Sequence, residues 1–139
     1  MINEFLNFRK DITKANPIFK IWGPVLNLSL IIGGLYFYNH PEGILITLTT
    51  LLSLIIVVNI HKKLPLARLM GVCHVVWLPL YPFLLLKIVE EGLSNEFNYF
   101  LVWSILLMTI SIGFDCYDFY RYVFTDNKTY EKIIIYKKI

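Results

Sequence analysis

The last long apolar stretch of the chain, Phe97 to Tyr122, reads FNYFLVWSILLMTISIGFDCYDFYRY. No charged residue occurs from Phe97 to Phe114; Asp115, Asp118 and Arg121 then follow at intervals of three. On a helix these three share a broad face, and stepping back from Asp115 by four, three and four residues gives Ser111, Met108 and Ser104. The pattern predicts a helix with one polar seam. It ends in two acids and a base where a bilayer-spanning segment leaves the hydrocarbon.

Ile21 to Asn39, Gly43 to Ile60 and Leu69 to Leu86 are likewise free of Asp, Glu, Lys and Arg over at least 18 residues. At about 1.5 Å per residue, such a segment covers roughly 27 Å, close to the thickness of a hydrocarbon core. A helix of a soluble bundle needs a polar stripe, and the second segment, GILITLTTLLSLIIVVNI, has none. The prediction is an all-α integral membrane four-helix bundle with short loops, forming one domain. Its spans are about 18–39, 43–61, 66–89 and 97–121, with 122–139 as a cytoplasmic tail.

Each segment carries local detail. Ile2 to Thr13 mixes Ile2, Phe5, Leu6, Phe8 and Ile12 with Glu4, Arg9, Lys10 and Asp11, the pattern of a short interfacial helix; a frayed terminus is the alternative. Asn16-Pro17 ends it. The first span opens with Trp22-Gly23-Pro24, holds the amide of Asn27, and offers Gly33-Gly34 for a close helix contact. The second ends in Asn59, Ile60, His61, Lys62 and Lys63 before Pro65. The third contains Arg68, Gly71, Cys73 and His74, then Pro79 and Pro82, which predict a kinked or loosened second half. The tail TDNKTYEKIIIYKKI reads equally as a small strand, an interfacial segment or a disordered end.

Composition agrees with lipid as the main solvent: of 139 residues, 57% are hydrophobic and 16% aromatic, and mean hydropathy is +0.61. Cys73 and Cys116 both fall inside predicted spans, so no extracellular disulfide framework is expected. The first 20 residues are charged throughout and lack the apolar run of a secretory signal. Where the charges sit sets the topology. Four of the thirteen Lys and Arg precede the first span, none lies in the first turn, and three lie at the second connection. One, Lys87, is near the third loop, and five are at or after the end of the fourth span. Twelve therefore fall on one side, which predicts cytoplasmic N- and C-termini.

That orientation brings polar groups from all four spans to one depth: Asn27; Asn59 and His61; Arg68 and His74; Ser111, Asp115, Asp118 and Arg121. A charge facing lipid costs about 2.5–3.5 kcal/mol at mid-membrane, so mutual satisfaction inside the bundle is the favourable arrangement. By depth, Arg68 meets Asp118, and His74 lies near Ser111 and Asp115. Gly33, Gly34, Gly71, Pro79 and Pro82 are the candidate helix-packing positions.

Several chemistries can be weighed against this cluster. It can be purely structural, or it can be a pathway or pocket for protons, a cation or a small polar ligand, with His74 titrating near neutral pH. A metal site from His74, Asp115, Cys116 or His61 has no established ligand spacing, so no metal and no cofactor is assigned. Asp-x-x-Asp-x-x-Arg resembles lipid phosphotransferase patterns, but the further Gly, Ala-Arg and Asp residues of those enzymes are missing. No phosphate loop, activated nucleophile or basic face for nucleic acid is present, and the expectation is a protein that is not an enzyme.

In size and span number the chain resembles two kinds of small bacterial inner-membrane protein. The small multidrug exporters carry an essential Glu in the middle of their first helix, where this chain has only Asn27. The immunity proteins that protect against pore-forming colicins and other membrane-targeting toxins are similarly short, nearly loopless and without catalytic signatures. This second likeness is one of gross architecture, and no functional residue is carried over. It implies a multi-pass protein of the bacterial inner membrane that binds a membrane partner, a toxin or a second copy of itself. Such a protector predicts a toxin with a hydrophobic hairpin encoded in the adjacent reading frame. The rival expectation is a small transporter, proton- or cation-coupled through the cytoplasm-facing Arg/His/Asp cluster. Topology is open to direct measurement: with Cys73 and Cys116 replaced, a cysteine at Asn39 should react with an impermeant maleimide from the non-cytoplasmic side only.

Overall fold

A computed structural model describes residues 2–130. In chain order these form α1 (Ile2–Ala15), α2 (Ile18–Tyr36), α3 (Pro41–Lys63), a 3-10 segment (Arg68–Trp77), α4 (Leu80–Glu91) and α5 (Glu96–Phe124). The fold is all-α. Helices α2, α3 and α5 are each long and apolar enough to cross a membrane. The 3-10 segment and α4 meet at a 45° bend; counted together as one span, they bring the helices long and apolar enough to cross a membrane to four. The sequence motif at 2–13 is a full helix to Ala15 rather than a frayed end.

The third span departs from expectation in where it loosens. The half after the prolines, expected to be distorted, is the regular α-helix α4, while the half before them is wound as 3-10 helix. Pro79 has no N–H to give and its ring opposes the carbonyl four residues back, that of Val75; this carbonyl instead accepts from Leu78 N at 3.2 Å. The distortion therefore runs toward the N-terminus of each proline, not past it. A 3-10 helix rises about 2.0 Å per residue, so ten residues cover roughly 20 Å where an α-helix would cover about 15 Å.

Winding at three residues per turn also decides which side chains share a face. Arg68, Gly71, His74 and Trp77 are spaced by three. In an α-helix each such step falls about 60° short of a full turn, which would put Arg68 and Trp77 on opposite sides. In the 3-10 segment they form one straight stripe. That stripe lies on α5 in one of the two most extensive helix contacts; α2 against α3 is the other.

Two apolar clusters fill the bundle. Leu26, Leu30, Ile46, Trp77, Leu84 and Leu101 belong to the larger one, and Trp77 is fully buried. The second, under α1, joins Ile12 to Val57, Val58, Leu66, Met70 and Cys73. Outward faces carry exposed Leu28, Ile32, Leu48, Leu86, Val102 and Phe124, the surface expected of helices solvated by lipid.

Gly33 and Gly34 of α2 pack inside the bundle. A Cβ on Gly33 would collide with the Phe100 ring, and one on Gly34 would meet Thr47 Oγ1 and come within 2.5 Å of the Gly43 carbonyl. The absence of side chains lets α2 and α3 approach backbone to backbone beside their turn. Gly34→Leu should therefore destabilise the fold by about 1–3 kcal/mol through overpacking. Gly113→Ala, at a position with open space around it, should gain about 0.5–1 kcal/mol from helix propensity. Reversible unfolding in mixed micelles measures both.

Candidate functional site

The polar stripe of the 3-10 segment meets the acids of α5 rung by rung. Arg68 Nη1 donates to Asp118 Oδ1 in an ion pair whose side chains are only 11% and 8% exposed. One turn deeper, His74 Nδ1 and Asp115 Oδ2 lie 2.6 Å apart. Gly71, between the two rungs, is what admits the acid: a Cβ there would stand 2.5 Å from Asp115 Oδ1. His74 in turn stacks on Trp77, with ring centroids 4.2 Å apart. The pairing by depth of Arg68 with Asp118 and His74 with Asp115 is thus present in the structure.

The start of the tail completes the first rung. Arg68 N donates to Lys128 O at 3.0 Å and Tyr130 N donates to Leu66 O at 2.9 Å, around an antiparallel bridge between Ala67 and Thr129. Tyr130 donates its hydroxyl to Asp118 Oδ2, lies 4.8 Å from the Arg68 guanidinium across its ring, and packs edge-on against Phe19. Burial pushes the Tyr130 hydroxyl well above the ordinary phenol range, and the bond to Asp118 adds to this. Of the three readings of the tail, its first part is thus a short paired segment; the remainder, 131–139, lies outside the described residues.

A cavity of about 310 Å³ opens beside the His74–Asp115 rung, bounded by α1, α2, α3, the 3-10 segment, α5 and Tyr130. Its walls are mainly apolar. Asn27 and Ser111 line it as well. Asn27 donates its amide to Gly23 O at 2.9 Å, but its Oδ1 has no partner among the described residues, and neither has Ser111 Oγ. Ser111 is 2% exposed. Other hydroxyls of these helices bond back to their own turn, as Ser104 does to Phe100 O at 2.8 Å and Thr50 to Ile46 O at 2.7 Å.

Three of the residues expected in the cluster are placed elsewhere. Asn59 is exposed and donates to Ile55 O at 2.9 Å. Arg121 lies one turn beyond Asp118, toward the exposed side, with Nη1 3.3 Å from the Tyr117 hydroxyl and its guanidinium 5.6 Å from that ring. Equal depth brought both to the right level, but rotation about their helices turned them away.

His61 is the third, and it works as a clamp for α1. Its Nδ1 accepts from Leu66 N at 3.3 Å and therefore carries no proton, which leaves Nε2 to donate to Asp11 Oδ2 at 3.3 Å. Phe8 packs edge-on against the ring. Lys62 adds an ion pair to Glu4 at 2.6 Å, and that bond holds the Glu4 carboxyl below the usual range. Leu66, the residue held between His61 and Tyr130, has φ of +55°, a left-handed conformation that costs a branched side chain about 1–3 kcal/mol.

At the opposite end of the bundle the structure gathers a second polar group that the sequence reasoning passed over. Glu42 is 3% exposed and pairs with Lys87 at 3.4 Å; Lys87 also reaches Glu91 at 2.7 Å. His40 stacks on Phe97 at 3.9 Å beside them. The one signal available was that Lys87 is the single base on that side, at the depth of the Glu42 turn.

No family model, curated protein or solved structure matches the chain. The fold and the site therefore define it no further than a small all-α protein with helices long and apolar enough for a membrane, carrying a buried two-rung ionic ladder beside a cavity.

The ladder makes a measurable demand on stability. Arg68→Ala leaves the Asp118 charge buried and should cost about 3–5 kcal/mol, whereas the pair replacement Arg68→Met with Asp118→Leu should recover most of that. Arg121→Ala should change stability by less than about 0.5 kcal/mol. Unfolding titrations in micelles distinguish these outcomes.

Proposed function

We propose that this is a small bacterial inner-membrane transporter that takes a small ligand in the cavity and couples it to protonation of the His74–Asp115 pair. The supporting observation is that the His74–Asp115 pair borders the cavity, with Asp118 and Tyr130 of the other rung beside it. Arg68 and Asp118 are locked by mutual charge and by Tyr130. His74 meets Asp115 through Nδ1 and is charged only if protonated, so the charge of this rung is not fixed as that of the other is. A buried charge change of that kind is expensive unless a ligand or a movement offsets it, which is the physical basis of coupling. The bend at Pro79, next to the stripe that carries His74, is a natural place for the movement. Twelve of the thirteen bases at or beyond one end support a cytoplasmic opening.

Binding of a membrane partner, with toxin protection as its sharpest form, remains the other reading. Of its candidate contact positions, Gly33 and Gly34 are covered by Phe100 and Thr47 within the bundle, whereas Pro79 and Pro82 of the third span are exposed. A partner would have to use that second surface.

Reconstituted into vesicles holding a pH gradient, the protein should discharge that gradient when at least one class from a panel of small cations, anions and neutral amphiphiles is added. His74→Ala and Asp115→Asn should each abolish the discharge while leaving the helical circular dichroism intact. If every class leaves the gradient as it is in protein-free vesicles, the transport reading is lost.

A further inference from the structure

The cavity has a chemical character specific enough to name what enters it. Three features converge on its polar wall. Asp115 is the one acid there without a permanent cation: Asp118 is held by Arg68 and Tyr130, while Asp115 has only His74, which is charged only when protonated. With His74 neutral, the ladder holds two carboxylates against one guanidinium, an excess of one negative charge in a low-dielectric site. The atoms left without partners beside it, Asn27 Oδ1 and Ser111 Oγ, are both able to accept hydrogen bonds. Ser111 is 2% exposed and lines the cavity, and its oxygen has no partner among the described residues, so an occupant can supply one.

The other walls supply the matching half. Phe5 and Phe8 of α1, Phe19 and Trp22 of α2 and Phe114 of α5 all line the space, and Trp22 and Phe114 meet edge to face at 6.0 Å. Aromatic faces around a carboxylate attract a cation that also has an apolar body. Arg9, the one Lys or Arg among the lining residues, is an exposed residue of α1. A volume of about 310 Å³ is at the small end of ligand pockets.

We infer that the cavity binds a small organic monocation with an apolar body, seated with its charge on Asp115 and its body among the aromatic rings, in competition with the proton on His74. This rests on the small-ligand reading of the cavity and adds the ligand class and the basis of exclusion. Imidazolium at His74 and a bound cation each neutralise the same carboxylate; holding both would bury an excess positive charge. The groups facing His74 are consistent with that exchange. Those that share the cavity wall with it are Cys73 on its own segment, Asp115 and Asp118 on α5, Arg9 on α1, Tyr130 from the tail, the amide of Asn27 on α2 and the hydroxyl of Ser53 on α3, with Arg68 paired to Asp118.

The test uses the purified full-length protein and three probes of similar size, measured by equilibrium binding. They are benzyldimethylammonium, whose N–H can donate to the free acceptors, its neutral carbon isostere isobutylbenzene, and the anion phenylmethanesulfonate. At about pH 8 the cation should bind saturably, and at about pH 5.5 at least about tenfold more weakly. Asp115→Asn should weaken it by a similar factor, and Phe114→Ala, at a half-exposed position, should weaken the cation more than the neutral isostere. His74→Gln should remove the pH dependence, bringing the ratio of binding at about pH 8 to binding at about pH 5.5 close to one whatever the absolute strength of binding. That result keeps the proposal testable even if Asp115→Asn does not fold. Neutral isostere or anion binding as tightly as the cation, or pH dependence persisting in His74→Gln, would overturn the inference and leave a ligand cavity of another class. Failure of all three probes to bind would remove the ligand reading itself.

Discussion

A charge inside a bilayer must find its counterpart within the protein, and in this chain that requirement is met by one ladder between the 3-10 segment and α5. Arg68 with Asp118 and His74 with Asp115 are its rungs. The ladder explains features that otherwise look unrelated. Gly71 is a glycine because Asp115 occupies the space of its Cβ. The segment is wound as 3-10 helix over ten residues, far longer than is usual, and only that winding keeps Arg68, Gly71, His74 and Trp77 in line. The prolines at the bend release the segment from the α-helical hydrogen-bond pattern that would break the stripe.

The basic end of the bundle is assembled around that ladder by small polar clamps. His61 draws α1 down through Asp11 and at the same time holds the Leu66 N–H. Tyr130 takes the Leu66 carbonyl on one side and Asp118 on the other. The left-handed turn at Leu66 is thereby fixed between two partners, and the connection from α3 into the 3-10 segment starts in the register that Arg68 needs. With α1 in place the apolar space beneath it becomes a partly open cavity, and the amphipathic helix becomes a wall of the site.

The site then has two kinds of ion pair with different capacities. The Arg68 rung is permanent and closed by a third group. The His74 rung is an ion pair only when its imidazole is protonated, and it lines the cavity. The Glu42–Lys87–Glu91 group at the opposite end links the α2–α3 turn to the α4 terminus, so the bundle is tied ionically at both ends and by apolar packing between them.

Much of this could be read from residues alone. Four apolar segments, the short amphipathic start, the seam Ser104–Met108–Ser111–Asp115–Asp118 and the depth at which Arg68 and His74 meet the acids all follow from hydropathy and spacing. Length and depth are properties of a single segment, and lipid permits few alternatives. Rotation is not such a property. Whether Asn59, His61 and Arg121 look inward depends on how each helix is turned against its neighbours, and packing turned two to the outside and gave the third to α1. The 3-10 winding was equally out of reach, since three-residue spacing is compatible with either helix type until a partner surface makes one stripe worth keeping. So too the cavity: it arises from the placing of α1, whose sequence specifies an amphipathic helix but not what its apolar face will cover. What the chain determined by itself is which segments enter the membrane and how deep their charges lie, because transfer from water to lipid is a local cost. The choice of partners, the pitch of the third span and the pocket beside Asp115 belong to the tertiary structure, because each depends on the relative rotation of elements far apart in sequence.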